Sequence, residues 1–550
     1  CPLANFASFS AKPRRFEPAR TSPRQSASPR MLPVHSVPFL LFLLVVFLPY
    51  PAHSTTPSDS DPTPVRSVPL GTPQLLLFSD AVNASSISPG AALRLHPPQR
   101  REAVLFFNYT WESPASAYVT AISYPSKLNA SVIITRLYYR CYYKDIDTSP
   151  EQRTCVALSR DGIHFYRPHL AQLPTPFPSP INHVVLHGIE AHNFFPFLDP
   201  RPDVPPAERF KGVGGLNMGP RRGGETLLPP ELGRPDGLYA FASGDGLAWR
   251  RAGEGAVFSA TALDSMQTVV FDEEKGRFVL FGRNWVPCRR RDEACPHRRR
   301  HIFSSSSARF DGGYENADSP LEFLPPFPDR DHLYTNAVTP VPGVPGGYVG
   351  FPKRFTKLRH KISAHEKPGA SDTVLIASSD LEKPWRQFGV SWVRPGRDKP
   401  NWSQRSNMMA PGIRAEENEW SLYISGHYMW DTSHVQRLTM RPYGFASMEA
   451  RDRISSFETT RFKVSGVLKG NRVNLCLNYA TSAAGHIQVQ VLEAGTKKLL
   501  LQSEEIFGDE LREPVEWTGS ASFASAVDRE LVLKFVMLDA DIFAWTVCAG

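Results

Sequence analysis

The chain has 550 residues, enough for two domains, and a formal net charge of +8 with a pI near 9.0. Residues 1–30 contain six basic residues and one acidic residue, so five of the eight net charges lie in this short stretch. Because the rest of the chain is close to neutral, its charge does not argue for nucleic-acid binding.

The N-terminal region has the pattern of a secretory signal. Met31 precedes the apolar run VPFLLFLLVVFLP, which is shorter than the roughly 20 residues that a membrane span needs. Ala52–Ser54 offers a small-residue cleavage site. We interpret residues 1–30 as a basic tail or upstream extension, 31–54 as a signal peptide and 55–73 as a linker. An uncleaved type II membrane anchor and an organelle transit peptide are the alternatives.

A strand–turn phrase recurs along the next part of the chain. It reads VALSRDGIHFYRP at 156–168, YAFASGDGLAWRR at 239–251 and VLIASSDLEKPWRQF at 374–388, with a looser copy from His301. The Asp-Gly pair supplies the positive φ angles of a tight turn between strands. A second phrase, a polar loop followed by an aromatic-led strand, accompanies each copy. Five such units predict a five-bladed β-propeller over residues 74–455, with an ordinary β-sandwich as the alternative.

The pattern changes near Glu449. Residues 456–550 contain short runs that alternate apolar and polar side chains, among them RVNLCLNYA, HIQVQVLEA and ELVLKFVML. A period of two residues is typical of strands with one buried face, so this part predicts a compact β-sandwich. The expected fold class is all-β, a five-bladed β-propeller followed by a C-terminal β-sandwich.

The cysteines and glycosylation sequons favour export. Six cysteines follow the signal, and their spacing predicts the disulfides Cys141–Cys155, Cys288–Cys295 and Cys476–Cys548. Four N-x-S/T sequons occur, at Asn83, Asn108, Asn129 and Asn401. We therefore expect a secreted or cell-surface glycoprotein.

Several phrases of the chain resemble a known family. They include LRLHPP, CVALSRDGIHFYRP, EAHNFFPFLDP, ALDSMQTVVFDEEKGRFVLFGR, GFPKRF and LKFVMLDADIFAW. The chain resembles, from Gln74 to Cys548, secreted proteins of planctomycete-type bacteria and some algae that are related to glycoside hydrolase family 32. The resemblance implies a five-bladed propeller with a C-terminal sandwich, as in sucrose- and fructan-cleaving enzymes. Those enzymes carry acids in Asn-Asp-Pro, Arg-Asp-Pro and Glu-Cys motifs, none of which stands in this sequence.

Acidic residues near the starts of predicted innermost strands are the candidate catalytic groups. Glycoside cleavage needs one carboxyl as acid and another as nucleophile or base. We predict Asp264 as the ionised member and Glu190 as the protonated acid, with Glu112 or Asp80 as a third member. The alternatives are strand capping for Asp264, loop stabilisation for Glu190, and surface or turn roles for the other two.

Polar side chains beside these acids are the candidate substrate-binding groups. They are His192, Asn193, Gln267, Arg283, Asn336 and Arg354, and the two arginines have structural salt bridges as the alternative. The expected partner is a carbohydrate, including an anionic glycan, which the arginine runs 289–291 and 298–300 would suit. No metal-ligand motif and no cofactor motif is present in the sequence, and a structural calcium ion is the one metal left open. A membrane partner is expected only if the signal is uncleaved.

Two functions follow from these patterns. The first is a glycoside hydrolase-like protein that cleaves a glycosidic bond with paired carboxylates in the propeller funnel. The second is a non-catalytic glycan-binding or cell-surface protein on the same scaffold.

Overall fold

The computed structural model describes residues 65–109, 111–112, 114–126, 129, 131–141, 152–170, 183–216, 237–259, 263–293, 295–314, 319–365, 368–467 and 472–550. All of them belong to the compact unit Thr63–Gly550. The predicted basic tail, the signal peptide with its alternatives, and linker residues 55–64 lie outside this part of the chain. Within the described ranges, no helix is both long and apolar enough to cross a bilayer.

The chain is all-β, and its first half forms three antiparallel sheets in sequence order. Sheet 1 contains Ala117–Pro125, Ile133–Arg140, Arg153–Ser159 and Val184–His187. Sheet 2 contains Phe195–Leu198, Phe210–Leu216, Gly237–Ser243 and Arg250–Arg251. Sheet 3 contains Thr268–Asp272, Arg277–Pro287 and Arg298–Ser307. Each sheet follows the chain outwards from its first strand, as a meander does.

Sheets 4 and 5 include strands from distant parts of the chain. Sheet 4 runs Thr339–Pro340, Tyr348–Gly350, Ile376–Ser378, Trp385–Gln387 and Phe323–Leu324, beside a small sheet of His332–Leu333, Lys353–Thr356 and Ala370–Thr373. Sheet 5 contains Met408–Met409, Arg414–Ala415, Trp420–Gly426, His434–Met440 and, as its outer strand, Gln99–Phe106. An early strand therefore completes the last of the five sheets.

A ten-stranded sheet, called here the C-terminal sheet, joins both ends of the described chain. Its strands are Arg66–Pro69, Gln74–Leu75, Ala91–Leu95, Ala446–Ala450, Ser455–Glu458, Phe462–Ser465, Val473–Glu493, Leu499–Gln502, Asp509–Pro514 and Leu531–Ala549. Short 3-10 helices lie at Ala84–Ser86, Ile189–Ala191, Pro206–Glu208, Lys399–Trp402 and Phe523–Ser525. Three strands before residue 96 and the strand Ala446–Ala450 therefore belong to the same sheet as the strands that follow residue 456.

The recurring Asp-Gly phrases form the same turn. In the first copy, Ser159 Oγ accepts from the amides of Asp161 and Gly162, and Asp161 Oδ1 accepts from the next two amides. Ser243 and Asp245 repeat every one of these bonds in the second copy. The glycine of each turn has φ near +74°, a conformation that glycine adopts without steric cost.

Apolar clusters connect each of the five sheets to the next one. Sheets 1 and 2 share Ile122, Tyr138 and Phe210; sheets 2 and 3 share Val213, Leu238 and Phe278; sheets 3 and 4 share Phe281, Ile302 and Trp385; sheets 4 and 5 share Val349, Ala377 and Leu422. A fifth cluster, with Leu137, Ala157, Tyr423 and Val435, joins sheet 5 to sheet 1. One cavity of about 410 Å³ is lined by residues of all five sheets. These residues lie in or next to the first strand of each sheet, at 120–123, 195–198, 269–271, 338–341 and 411–413.

The three disulfides join the pairs that the cysteine spacing predicts, with Cα separations of 5.8, 6.1 and 5.9 Å for Cys141–Cys155, Cys288–Cys295 and Cys476–Cys548. Three such bonds are typical of a protein that folds in an oxidising compartment outside the cytosol.

The four sequons lie in different environments. Asn108 and Asn129 are exposed and Asn83 is half-buried, where its side chain caps a 3-10 helix. Asn401 is buried, and its Oδ1 accepts from the amide of His427. Glycosylation at Asn401 therefore does not fit the folded chain.

Candidate functional site

One polar cluster collects side chains from all five sheets at the starts of their first strands and the adjoining strand ends. We call it the cation–tyrosine cluster. Its members are Tyr118 and Arg140 of sheet 1, His192 and Asn193 before sheet 2, Arg283 and Arg300 of sheet 3, Tyr334 and Lys353 beside sheet 4, and Arg405 and Tyr428 in loops that adjoin strands of sheet 5. The funnel position predicted from the strand starts is thus occupied mainly by cations and phenols.

Tyr334 is surrounded by positively charged side chains. The ring centroid lies 4.0 Å from Lys353 Nζ, 4.7 Å from Arg300 Cζ, 5.1 Å from Arg283 Cζ and 5.8 Å from Arg405 Cζ. Cations within about 6 Å of an aromatic face are attracted to its electron density. The ring therefore partly offsets the repulsion among these groups.

Arg140 connects the second tyrosine to the rest of the cluster. Its guanidinium carbon lies 4.3 Å from the Tyr118 ring centroid, and its two Nη atoms donate to Asn193 Oδ1 and to Tyr428 Oη, each at 3.0 Å. Arg405 also donates to Tyr428 Oη, at 3.1 Å. The shared acceptor fixes both guanidinium groups relative to one another.

The backbone of the cluster is strained at three positions. Tyr118, Asn193 and Arg405 have φ angles of 53°, 49° and 62°, in the left-handed region that glycine favours. Such conformations cost about 1–3 kcal/mol each and concentrate at functional sites. The cluster is therefore held in place by the surrounding sheets at some cost in stability.

Charge and burial push the proton affinities of the two tyrosines apart. Burial raises the pKa of Tyr118, and the neighbouring Tyr334 raises it further. Burial also opposes ionisation of Tyr334, but Arg405, Arg283 and Arg300 together lower the pKa of Tyr334 below its usual value. Tyr334 is thus the more acidic phenol of an adjacent pair.

The same surroundings lower the pKa of two further basic groups. Burial, reinforced by Arg405, Arg300 and Arg283, places the pKa of Lys353 well below its usual range. Burial and the cluster arginines likewise depress the pKa of His192. The lasting positive charge of the cluster therefore resides on its arginines.

Asp264 is the one predicted catalytic acid that contacts this cluster. Its carboxylate forms an ion pair with Arg283, and about 27% of its side chain is exposed. Arg283 therefore forms a structural ion pair, which was the alternative to substrate binding for this arginine. Part of the Asp264 side chain remains exposed to solvent.

The predicted pairing of Glu190 with Asp264 is not observed. Glu190 is buried and forms a two-armed ion pair with Arg251, on the outer strand of sheet 2, whose Nε donates at 2.9 Å. No contact between Glu190 and Asp264 occurs in the described ranges. Both carboxylate oxygens of Glu190 are engaged by Arg251, which places this residue in a structural ion pair.

Glu112 lies in a different buried network. Tyr139 Oη donates to its Oε1 at 2.6 Å, and Arg167 donates to its two oxygens at 2.9 and 2.7 Å. Its side chain has no solvent exposure. This carboxylate is satisfied by its neighbours and is not open to a ligand, which corrects its prediction as a catalytic residue.

Two other predicted residues have structural surroundings. Asp80 lies near Arg66 of the C-terminal sheet, at 3.7 Å, with none of the cluster residues among its described contacts. Arg354 pairs with Asp372 at 2.6 Å and with Asp331 at 3.6 Å, as its structural alternative proposed.

The remaining predicted binding residues divide into two groups. Asn336 accepts from Thr268 Oγ1 at 2.6 Å and donates to the Phe281 carbonyl at 3.2 Å, so it ties sheet 3 to sheet 4. His192 and Asn193 belong to the cluster, and Asn193 Nδ2 lies 2.8 Å from His192 Nε2. Gln267 follows Asp264 closely in the sequence and is buried. Neither the nitrogen nor the oxygen of its side-chain amide is hydrogen-bonded to a residue of the described chain.

Sequence reasoning missed Arg140, Lys353, Arg405 and Tyr428. Arg140 is the last residue of the strand Ile133–Arg140, and Lys353 is the first residue of Lys353–Thr356. Lys353 lies next to Tyr334, whose amide donates to the Lys353 carbonyl at 2.8 Å. Basic residues adjoining an aromatic strand start were the available signal. Arg300 lies in the arginine run 298–300, which the sequence indicated as suited to an anionic glycan.

The described residues contain no group of three His, Cys, Asp or Glu side chains placed to hold a metal ion. The sequence matches no protein-family model and has no match among curated proteins.

Solved structures with similar chain courses exist at low identity. A glycoside hydrolase has 11% identity and a TM-score of 0.41 over 63% of this chain and 93% of its own. An N-acetylgalactosamine deacetylase from F. plautii, in complex with blood group B trisaccharide, has 11% identity and a TM-score of 0.38 over 64% and 96%. An alpha-L-arabinanase from Penicillium chrysogenum, complexed with arabinobiose, has 10% identity and a TM-score of 0.34 over 63% and 99%. What the cluster binds has to be inferred from its own residues.

Proposed function

We propose that the five sheets are the blades of a five-bladed β-propeller and that the C-terminal sheet folds into an appended β-sandwich. The clusters between successive sheets, including the one from sheet 5 to sheet 1, support the first part. The shared cavity lined by five strand starts also supports it. The two long strands Val473–Glu493 and Leu531–Ala549, which pair with each other and contribute side chains to one buried core, support the second.

We propose that the protein acts on an anionic glycan, which it binds at the cation–tyrosine cluster. The observation that carries the proposal is the convergence of four arginines from three sheets on two tyrosines, with Asp264 as the carboxylate in contact. Charged groups removed from water are costly unless they are paired. A carboxylate or sulfate of a sugar carries the opposite charge, and the planar guanidinium suits either group.

Binding to charged and neutral polymers tests this function. The purified protein should bind uronic-acid or sulfated polysaccharides in isothermal titration calorimetry, and should bind neutral glucans and fructans at least tenfold more weakly. Added salt should weaken the interaction because it screens exposed charges. Arg300→Gln and Arg405→Gln should each weaken binding by about tenfold or more, since a charged hydrogen bond contributes about 1.5–3 kcal/mol.

The matched control is Arg529→Gln, which removes an exposed arginine paired with Glu493 on the C-terminal sheet. It should bind as the unaltered protein does. Equal affinity for neutral and anionic polymers, or unchanged affinity in the two cluster variants, would contradict the proposed function.

Hydrolysis by Asp264 is a second candidate, favoured by the partial exposure of its carboxylate. Glycosidic hydrolysis needs a second carboxyl about 5–10 Å away, and Glu190 was predicted for it. On this hypothesis, Asp264→Asn lowers the rate at which reducing ends are released by several orders of magnitude, while the melting temperature of the protein is unchanged. Unchanged hydrolysis in that variant would eliminate Asp264 as the catalytic group.

Secretion is also a proposal, supported by the three disulfides. Expression of the full sequence in a secreting host should deliver a protein whose N-terminus lies just after Ser54. An intact N-terminal region on membranes would indicate the uncleaved anchor instead.

A further inference from the structure

The cluster places two phenols beside each other, and among the described residues Asp264 is the carboxylate that forms an ion pair with it. Tyr334 lies among three arginines and Lys353, and Tyr118 lies under Arg140 on a strained backbone. Adjacent titratable groups that are pushed apart in proton affinity are the usual pattern of an acid–base pair. Chemistry that needs one base, one acid and a bound anion therefore fits this site better than chemistry that needs two carboxylates.

We propose that the protein cleaves uronic-acid polysaccharides by β-elimination, with Tyr334 as the base and Tyr118 as the acid. This inference rests on the proposed anionic-glycan function and names both the substrate class and the reaction. It requires no metal, no water and no co-reactant.

The step balances within the two tyrosines and the substrate. The Tyr334 phenolate takes the proton from the carbon that bears the uronate carboxylate, and the electron pair forms a double bond to the neighbouring ring carbon. The bond from that neighbouring carbon to the glycosidic oxygen breaks, and Tyr118 gives its proton to the departing oxygen. The products are a 4,5-unsaturated uronate end and a new sugar hydroxyl. Proton exchange with solvent then returns Tyr334 to the phenolate and Tyr118 to the neutral phenol.

The arginines make the proton next to the uronate carboxylate acidic enough for the base to remove it. A proton next to a carboxylate is acidic only if the negative charge that builds up on the carboxylate oxygens is stabilised. Arg300 and Arg405 are half-buried, so part of each side chain is accessible to a ligand. Their fixed positive charge stabilises the charge-rich intermediate more than the ground state, as catalysis requires.

Other bases of the cluster are less suitable than Tyr334. Lys353 Nζ is fully buried under the Tyr334 ring, so a ligand cannot contact it. Both ring nitrogens of His192 already lie within 3.1 Å of Gln152 or Asn193. In contrast, the hydroxyl of Tyr334 makes no hydrogen bond within the described part of the chain, and its oxygen is not fully buried.

The reaction is tested with the full-length secreted protein and four polymers: polygalacturonate, alginate, glucuronoxylan and hyaluronan. Elimination creates a double bond conjugated with the carboxyl group, which absorbs in the ultraviolet, whereas hydrolysis does not. We expect the ultraviolet signal to rise together with reducing ends on at least one polymer. The same polymer with its carboxyl groups reduced to alcohols should not be cleaved.

Tyr334→Phe and Tyr118→Phe should each lower the elimination rate by about a hundredfold to ten-thousandfold, the range for loss of a general base or acid. Both variants should keep polymer affinity within about threefold, because each loses one hydroxyl and no charge. The control Tyr166→Phe removes the hydroxyl of an exposed tyrosine outside the cluster and should leave the rate unchanged.

The outcomes separate this inference from the function on which it rests. Polymer binding without an ultraviolet-absorbing product overturns the elimination and leaves glycan binding intact. Reducing ends without ultraviolet absorbance also overturn it and point to hydrolysis. Full elimination activity in Tyr334→Phe overturns the assignment of the base. Absence of binding to every anionic polymer overturns the proposed function itself.

Discussion

At the scale of single residues, Tyr334 makes the most direct prediction, because its ionisation can be measured without a substrate. Arg405, Arg283 and Arg300 lower the pKa of Tyr334 against the opposing effect of burial. Its phenolate should therefore form before those of the other buried tyrosines as pH rises. The measurement is an ultraviolet titration of the folded protein, in which Tyr334→Phe removes the earliest step.

The controls for this titration follow from the same electrostatics. Arg300→Gln removes one stabilising charge, so the earliest step should move to higher pH and the acidic limb of the activity profile should move with it. Tyr348→Phe should leave that step in place, because burial raises the pKa of Tyr348. An unchanged first step in Tyr334→Phe would contradict the assignment.

Glu112 makes a prediction about stability. Its carboxylate is fully buried between Arg167 and Tyr139, so its neutral isostere leaves a buried guanidinium without a charged partner. Glu112→Gln should lower the free energy of unfolding by about 3 kcal/mol. Chemical denaturation measures this, with the exposed Glu417→Gln as the control. A variant as stable as the control would contradict the structural role.

These residues also show what the sequence could and could not indicate about the site. Asn193 precedes the apolar strand Phe195–Leu198, so its position at a strand start was predictable from the local pattern. The partners of Glu190 and Glu112 lie 61 and 55 residues away in sequence, at Arg251 and Arg167. No local pattern encodes such a pairing, and the acids were therefore assigned catalytic roles that their arginine partners disfavour.

At the scale of elements, the recurring Asp-Gly turns act as contacts between sheets. Tyr138 of sheet 1 donates to the Gly246 carbonyl in the turn of sheet 2, at 2.8 Å. Tyr423 of sheet 5 donates to the Gly162 carbonyl in the turn of sheet 1, at 2.9 Å. The turn itself was predictable because its bonds are local, but the tyrosine that meets it comes from another sheet.

Removing one of these tyrosine hydroxyls should loosen two sheets. Tyr138→Phe keeps the ring in its apolar cluster and leaves the Gly246 carbonyl without this donor. The free energy of unfolding should fall by about 1 kcal/mol, the usual net contribution of such a bond. Tyr443→Phe, whose hydroxyl donates no bond to the described residues, is the control for denaturant titration. Identical stability of the two variants would show that the contact contributes nothing.

At the scale of the whole molecule, the C-terminal sheet is expected to be structural. Its core combines Val68, Leu76 and Met448 with Phe535 and Trp545, so residues before and after the five sheets share one interior. The predicted boundary near residue 456 cuts through this core. Collinear domains were the natural expectation from sequence, because strand pairing between residues hundreds of positions apart leaves no local signal.

Truncation after Arg453 tests this role. It removes the long strands that cover Val68, Leu76 and Met448, and each exposed core side chain costs about 1.5–3 kcal/mol. We expect the shortened chain to aggregate or to melt at a clearly lower temperature than the full chain in calorimetry. A soluble fragment with unchanged melting temperature and glycan affinity would contradict it.

The pairing of Gln99–Phe106 with His434–Met440 also has a consequence for biosynthesis. The ribosome makes the early strand first and must add more than three hundred further residues before its partner exists. At 5–20 residues per second, the early strand waits roughly a quarter of a minute to a minute with an open hydrogen-bonding edge. Chaperones that cover extended segments should therefore bind the nascent chain at this strand, and release from them should coincide with emergence of sheet 5.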